Sequence, residues 1–172
     1  MAHTPDQLFA YLGGLGIAHK TVTHPALFTV EQSRALRGQI PGGHTKNLFL
    51  RDKKDALFLV VAEEAATIEL KSLHHKLGAG RFSFGSANLM QDVLGVLPGA
   101  VTPFGVINDT ESRVTVVLDV PLLEHTTLNF HPLDNTMTTA IARDDLFKFL
   151  ESTGHKPRIE RVSGLPGADA TG

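Results

Sequence analysis

Lys46 and Asn47 stand where a glycine-bearing loop, Gly42-Gly43-His44-Thr45, runs into the apolar stretch Leu48-Phe49-Leu50. Strand alternation turns one of the two side chains toward the inner side, where a charge or an amide is costly without a partner. A lysine there is a point charge suited to a phosphate or carbonyl oxygen. Two other segments offer chemistry of a quieter kind. Leu97-Pro98-Gly99-Ala100-Val101-Thr102-Pro103-Phe104 is a rigid turn that presents backbone amides and carbonyls without bulky side chains, the groups that stabilise an oxyanion. Leu128-Asn129-Phe130-His131-Pro132-Leu133 sets one histidine at a strand end beside apolar residues. A further segment, His24-Pro25-Ala26-Leu27-Phe28-Thr29-Val30-Glu31, is a turn feeding a capped helix. The free amides of that helix are able to face a ligand, but a simple cap explains Thr29 equally well.

Other chemistries find no support. The chain has no cysteine, which removes disulfides, thiolate metal sites and a cysteine nucleophile together. Its nine histidines include no His-Glu-x-x-His motif, and the adjacent His74-His75 diverge on a helix, so solvated or hydrogen-bonded histidines are expected and a zinc site is not. Neither a Gly-x-Ser-x-Gly elbow nor a Gly-x-x-x-x-Gly-Lys phosphate loop occurs. Ten phenylalanines and one tyrosine form no RNA-stacking signature, and most are expected in the core.

The elements that must position these residues follow from caps and periodicity. Thr4, Pro5 and Gln7 open a first helix whose apolar face is Leu8, Leu12 and Leu15, ended by Gly13, Gly14 and Gly16. A strand is expected over His19–Thr23 and a second helix from a Thr29 cap to Gly38, with Gln32 completing a capping box. Asn47–Arg51 and Leu57–Ala62 form a hairpin across Asp52-Lys53-Lys54-Asp55. A helix from Thr67 to a Gly78 stop, a strand over Arg81–Phe84 and a helix capped by Ser86 come next. Strands are expected over Phe104–Ile107, Val114–Leu118, Thr127–Phe130 and Met137–Ile141, then a helix over Arg143–Ser152 and a strand over Arg158–Val162. Strands in groups with irregular helices mean α+β: a mostly antiparallel, curved or barrel-like mixed sheet with helices packed outside.

The 172 residues are enough for one domain, expected over 1–162 with 163–172 as a flexible tail. With 42% hydrophobic and 20% charged residues the body is globular. The first residues lack a basic stretch followed by an apolar one, and no apolar run approaches a membrane span, so a soluble cytoplasmic protein is expected. The net charge of −2 argues against nonspecific coating of nucleic acid. Residues 1–85 carry ten Lys/Arg against seven Asp/Glu, and residues 86–172 carry six against eleven. Lys46, Arg51, Lys53, Lys54, Lys71, Lys76 and Arg81 would build a local basic surface in the first half.

Taken in order, His24-Pro25…Phe28-Thr29-Val30-Glu31, Thr45-Lys46-Asn47-Leu48-Phe49-Leu50-Arg51-Asp52, Gly99-Ala100-Val101-Thr102-Pro103 and Asn129-Phe130-His131-Pro132-Leu133…Thr136 resemble the YbaK/ProX superfamily of aminoacyl-tRNA editing domains over residues 5–162. Within it the chain is most similar to the freestanding group that hydrolyses Ala-tRNA(Pro). The resemblance implies that Lys46 is the essential basic residue, and that Asn47 positions the aminoacyl ester or terminal ribose. It implies that Gly99, Ala100 and Pro103 belong to the loop holding the terminal adenosine and carbonyl, that His131 sets the size of the amino-acid pocket, and that Phe28 and Thr29 contact substrate. It further implies water attack assisted by the 2′-hydroxyl of the terminal adenosine, with no cofactor and no metal. The implied partner is the acceptor end of tRNA(Pro), with prolyl-tRNA synthetase as a transient partner and neither membrane nor DNA. Two alternatives stand beside this: the same chemistry on a Cys or Ser ester, and a non-catalytic module that binds tRNA or a synthetase.

Overall fold

The computed structural model describes residues 2–26, 31, 35 and 40–164. In chain order the elements are α1 (Pro5–Gly14), β1 (His19–Thr23), β2 (Gly43–Asp52), β3 (Leu57–Glu63), α2 (Leu70–Leu77), β4 (Phe82–Phe84), α3 (Ala87–Leu94), a 3₁₀ turn (Pro103–Asn108), β5 (Val114–Asp119), a second 3₁₀ turn (Val120–Glu124), β6 (Thr127–Phe130), β7 (Met137–Ala142), α4 (Arg143–Ser152) and β8 (Arg158–Glu160). The α+β reading holds. The strands run β1-β7-β6-β2-β3-β5-β8, with β4 on the edge of β2. Four pairings are antiparallel, β1–β7, β6–β7, β2–β3 and β2–β4. Three are parallel, β2–β6, β3–β5 and β5–β8. The sheet is therefore mixed, and it stays open rather than closing as a barrel, since β1 and β8 do not meet among the described residues.

The centre of the sheet explains the apolar run Leu57–Ala62. β3 lies between β2 and β5, with both faces covered. Leu57, Leu59 and Val61 enter a large cluster with Leu8 and Leu12 of α1, Val93 and Leu94 of α3, and Leu146, Phe149 and Leu150 of α4. Phe58 and Val60 face the other way, into a smaller cluster with Leu73 and Leu77 of α2. Each of the three buried α4 side chains contributes about 1.5–3 kcal/mol by leaving water, so this helix is fixed by packing rather than by its uncapped start. α1 keeps the reciprocal capping box between Thr4 and Gln7.

Four expectations need correction. Phe104–Ile107 is not a strand but part of the 3₁₀ turn, because Thr102 Oγ1 accepts from the Phe104 amide at 3.2 Å, Pro103 fixes φ, and Gly105 N donates back to Thr102. The helix expected from Thr67 starts at Leu70, with Glu69 in the capping position. Here long-range bonds hold the preceding segment extended: the Thr67 carbonyl accepts from Gly164 and the Ala66 carbonyl from Lys46. The strand expected to reach Val162 stops at Glu160, since Asp119 Oδ1 takes the Val162 amide instead. Residues 163 and 164, expected in the tail, are held in place: Ser163 is buried and donates to Asp119, and Gly164 donates to the Thr67 carbonyl. The helix expected from Thr29 to Gly38 falls largely outside the described residues, as do residues 165–172.

Candidate active site at the fork between two parallel strands

β2 and β6 run parallel but pair at only two positions, Gly43 with Leu128 and His44 with Asn129. Beyond that they part. Thr45 Oγ1 donates to the Asn129 carbonyl at 2.8 Å, a side chain replacing the ladder bond that the fork removes. Farther along, the same edge of β2 is taken up by β4, from Leu50 to Asp52. Lys46 and His131 each lie two residues past the last pair, so continued pairing would set them side by side. The pairing stops short of both, and Lys46 bonds the Ala66 carbonyl while His131 bonds the Met137 carbonyl.

Gly42 and Gly43 allow the approach that makes the fork. Gly42 has φ +102°, and a Cβ there would sit 3.0 Å from Asn129 Nδ2. A Cβ on Gly43 would stand 2.7 Å from the His125 ring, which is itself held by Glu63 through a 2.7 Å contact at Nε2. The Asn129 amide closes the base of the fork, donating to the Pro41 and Gly43 carbonyls at 3.1 and 3.2 Å.

Alternation separates the sequence-adjacent pair. Asn47 shares its face of β2 with Phe49, which packs in the large cluster; Lys46 shares the opposite face with Leu48 and Leu50 of the smaller one. Lys46 Nζ donates to the Ala66 carbonyl, its one hydrogen bond among the described residues. Asn47 Nδ2 reaches Thr45 Oγ1 at 3.4 Å, while its Oδ1 is buried without a partner among the described residues. An orphaned buried amide oxygen in native packing calls for an explanation, and a ligand donor is one.

His131 lies in a histidine-rich corner. Its Nδ1 is 2.8 Å from the Met137 carbonyl, and its ring centre is 6.2 Å from that of His24. Burial holds the His131 imidazolium below the usual histidine range; the His24 ring adds to this, while the Met137 carbonyl and Asp134 oppose it. Asp134 is held below the usual carboxylate range by the hydroxyl and amide of Thr136. His24 Nδ1 lies 2.8 Å from the Pro25 carbonyl and Nε2 2.8 Å from Thr138 Oγ1. Thr138 also lines a cleft of about 450 Å³, along with Lys20, Val22, Ile40, Pro41 and Ala140.

The Gly99–Pro103 loop comes to the same corner. Gly99 has φ +95°, and a Cβ on it would lie 3.4 Å from Asn135 Nδ2. Ala100 and Pro103 are buried, and Phe104 stacks edge-on against Phe130, the residue before His131, at 5.7 Å. The loop containing Gly99 thus reaches the segment around His131, while Lys46 stands on β2, two residues past the last pair with β6. The structure turns Asn47 to the other face of the strand. Phe28 and Thr29 lie outside the described residues. Sequence reasoning missed Thr138 and the role of His24. The available signal was the alternation of β7, where Thr138 and Ala140 share one face and Thr139 and Ile141 the other. Among the described residues no three His, Asp or Glu side chains gather as metal ligands do, and no helix is long and apolar enough to cross a membrane.

β2 and β6 part beyond their two paired positions, and the Gly99–Pro103 loop leads into Phe104, which packs against Phe130. Comparison with known proteins gives this architecture a family: the chain belongs to the aminoacyl-tRNA editing domain family, whose model matches residues 24–149. It is 36% identical over 149 residues to the prolyl-tRNA editing protein ProX of Acetoanaerobium sticklandii, covering 86% of this chain and 91% of that one. It is 39% identical over 155 residues to the prolyl-tRNA synthetase associated domain-containing protein 1 of Danio rerio, covering 89% and 84%. A crystal structure described as a candidate trans-editing enzyme for prolyl tRNA synthetase shares the fold, with a TM-score of 0.71, 15% identity and coverage of 96% and 99%.

Proposed function

We propose that the chain is a trans-acting deacylase that hydrolyses the ester of Ala-tRNA(Pro), releasing alanine and free tRNA(Pro), in the cytoplasm and in transient company with prolyl-tRNA synthetase. The observation that carries this reading is the fork, which places Lys46 and His131 equally far beyond the last paired residues of β2 and β6. The prolyl-tRNA editing for which the chain's relatives are named supports it.

An aminoacyl ester is already activated, so it needs positioning, an oriented water and stabilisation of the developing oxyanion rather than a strong nucleophile. Lys46 is bonded to one neutral carbonyl and can exchange it for a phosphate or ester oxygen of the substrate. The loop over Gly99, Ala100 and Pro103 receives the terminal adenosine, whose 2′-hydroxyl helps the attacking water. Asn47 offers its unpartnered amide oxygen to a donor of the aminoacyl ester or the terminal ribose. Phe28 and Thr29 complete the substrate contacts. His131 bounds the amino-acid pocket and rejects the larger pyrrolidine ring of the correct product, a steric distinction of roughly 10–200-fold per misfitting group.

The test is deacylation of Ala-tRNA(Pro) by the wild-type chain and by Lys46→Ala. Turnover abolished by the substitution, with an unchanged circular dichroism spectrum, is the expected result. Wild-type-like turnover in Lys46→Ala would remove Lys46 from the mechanism.

A further inference from the structure

Ile68 and Leu70 lay the stretch between β3 and α2 over the smaller cluster, on the face of β2 that carries Lys46. The stretch starts with the Glu64 amide on the His44 carbonyl at 2.9 Å and a turn closed by the Ala66 amide on the Glu63 carbonyl at 3.0 Å. At its far end Glu69 makes no side-chain cap for α2. Between these points the Gly164 amide donates to the Thr67 carbonyl at 2.8 Å, and the carbonyl just before it, that of Ala66, receives Lys46 Nζ. The residues that lead to Gly164 are pinned in turn. Asp119, at the end of β5, is 0% exposed, and its Oδ1 accepts the Val162 amide at 2.8 Å and the Ser163 amide at 3.3 Å. Its Oδ2 is buried with no hydrogen-bond partner among the described residues. A buried carboxylate so sparsely bonded is costly, and what it secures is the path of residues 162–164.

A lysine ammonium on its flexible stem spreads over many positions unless an acceptor fixes it. Here the acceptor is a backbone carbonyl, so Lys46 stands where the Ala66 peptide is held. We propose that Asp119 and the segment Val162–Gly164 form a strap that positions Lys46: the carboxylate grips the segment, the Gly164 amide holds Thr67, and the adjoining Ala66 carbonyl seats the ammonium. The strap lies close to the lysine in the sheet as well. Lys46 pairs with Ala62, and Asp119 follows the last pair of β3 with β5, Val61 with Leu118, so Ala62 alone separates the two in their row. The inference rests on the deacylase reading, in which Lys46 meets the substrate, and deepens it. Asp119 and Gly164 act through the Ala66 peptide and are positioning residues. Because their bonds lie in series, cutting either one releases the same carbonyl.

The test has two readouts on the full chain. The first needs no tRNA: the rate at which trace acetic anhydride modifies Lys46, read by peptide mass spectrometry against the exposed Lys148. Gly164→Pro removes the amide that holds Thr67, and is expected to raise Lys46 modification at least about threefold, since the freed amine is the reactive form. The second is turnover of Ala-tRNA(Pro). Gly164→Pro and Asp119→Ala are each expected to lower kcat about tenfold with KM within about threefold, the mark of a misplaced group rather than lost binding. Asp119→Asn keeps an acceptor for both amides and is expected to stay within about threefold of wild type in kcat. Asp119→Ala combined with Gly164→Pro is expected to be no slower than the worse single variant. Unchanged Lys46 modification in Gly164→Pro overturns the strap whatever the activity. So does a loss in Asp119→Asn equal to that in Asp119→Ala, or losses that multiply in the combined variant. A wild type that hydrolyses no ester overturns the deacylase reading, and the modification rates still decide the strap. Gly164→Pro leaves Asp119 and its bonds to Val162 and Ser163 in place, so it is decisive even if Asp119→Ala fails to fold.

Discussion

Asp109 and His155 form a buried pair whose removal has a calculable cost. His155 Nε2 lies 2.8 Å from Asp109 Oδ2, with the two side chains 0% and 2% exposed. The same carboxylate accepts the Arg113 amide at 3.0 Å and the Val114 amide at 2.9 Å, so it caps the 3₁₀ turn and starts β5 while holding the end of α4. Asp109→Ala leaves two amides and an imidazole without their acceptor in a site that water does not reach. Breaking a buried pair of this kind costs about 3–5 kcal/mol. For a domain of this size each kcal/mol lowers Tm by roughly 2–4 °C, so a fall of roughly 6–20 °C is expected. Asp109→Asn keeps one acceptor oxygen and should lose about half as much. Urea unfolding at neutral pH measures both, and because the pair is buried, 0.5 M salt should change the difference little. An Asp109→Ala protein within about 1 kcal/mol of wild type would refute the claim that this pair anchors the turn beneath the Gly99–Pro103 loop.

His131→Ala is expected to admit bulkier aminoacyl groups, read as a rise in Pro-tRNA(Pro) hydrolysis relative to Ala-tRNA(Pro); an unchanged substrate profile would remove His131 as the size limit. Gly43→Ala should drive the His125 ring off Glu63, since the new Cβ would start 2.7 Å from it, and lower both stability and turnover; a crystal structure with the Glu63 contact intact would contradict this. The pKa directions set the acid limit. Because folding holds His131 below its ordinary value of about 6.5, the unfolded chain takes up that proton first, and stability present above about pH 6.5 declines as pH falls toward the folded value. Asp52, whose pKa is lowered chiefly by the Gly80 amide, and Asp134 contribute stability that is present above their unfolded values and lost as pH falls through their folded ones. Denaturant midpoints measured from pH 7.5 to 3 should fall in these two stages, with His131→Gln abolishing the first.

Local signals in the sequence were faithful where local chemistry decides the backbone. Thr4 with Gln7, Ser86 before α3, and Gly78 after α2 mark their helix ends as read. Alternation and length placed β1 and α4 residue for residue. What was hidden is what distant residues decide. Phe104-Gly105-Val106-Ile107 is apolar without a period, and only the caps at Thr102 and Asp109 make it a turn. Thr67 looks like a helix cap, yet its carbonyl is committed to Gly164, nearly a hundred residues away. At the site, the motif residues Lys46, Gly99 and His131 were readable as types. The parting of β2 and β6 was not, because it depends on Gly42 and Gly43 fitting against Asn129 and His125. The contact of Thr138 with the His24 ring, 114 residues earlier in the chain, was equally out of reach of local signals.

The central claim is editing of a mischarged prolyl tRNA, and the most direct measurement is deacylation by the purified chain, with EDTA present, of Ala-tRNA(Pro) beside Pro-tRNA(Pro), Cys-tRNA(Pro) and Ala-tRNA(Ala). The account predicts fast loss of Ala-tRNA(Pro) and near-background loss of the other three. Stability of all four esters, with tRNA binding still measurable, would contradict it and leave a binding module in its place.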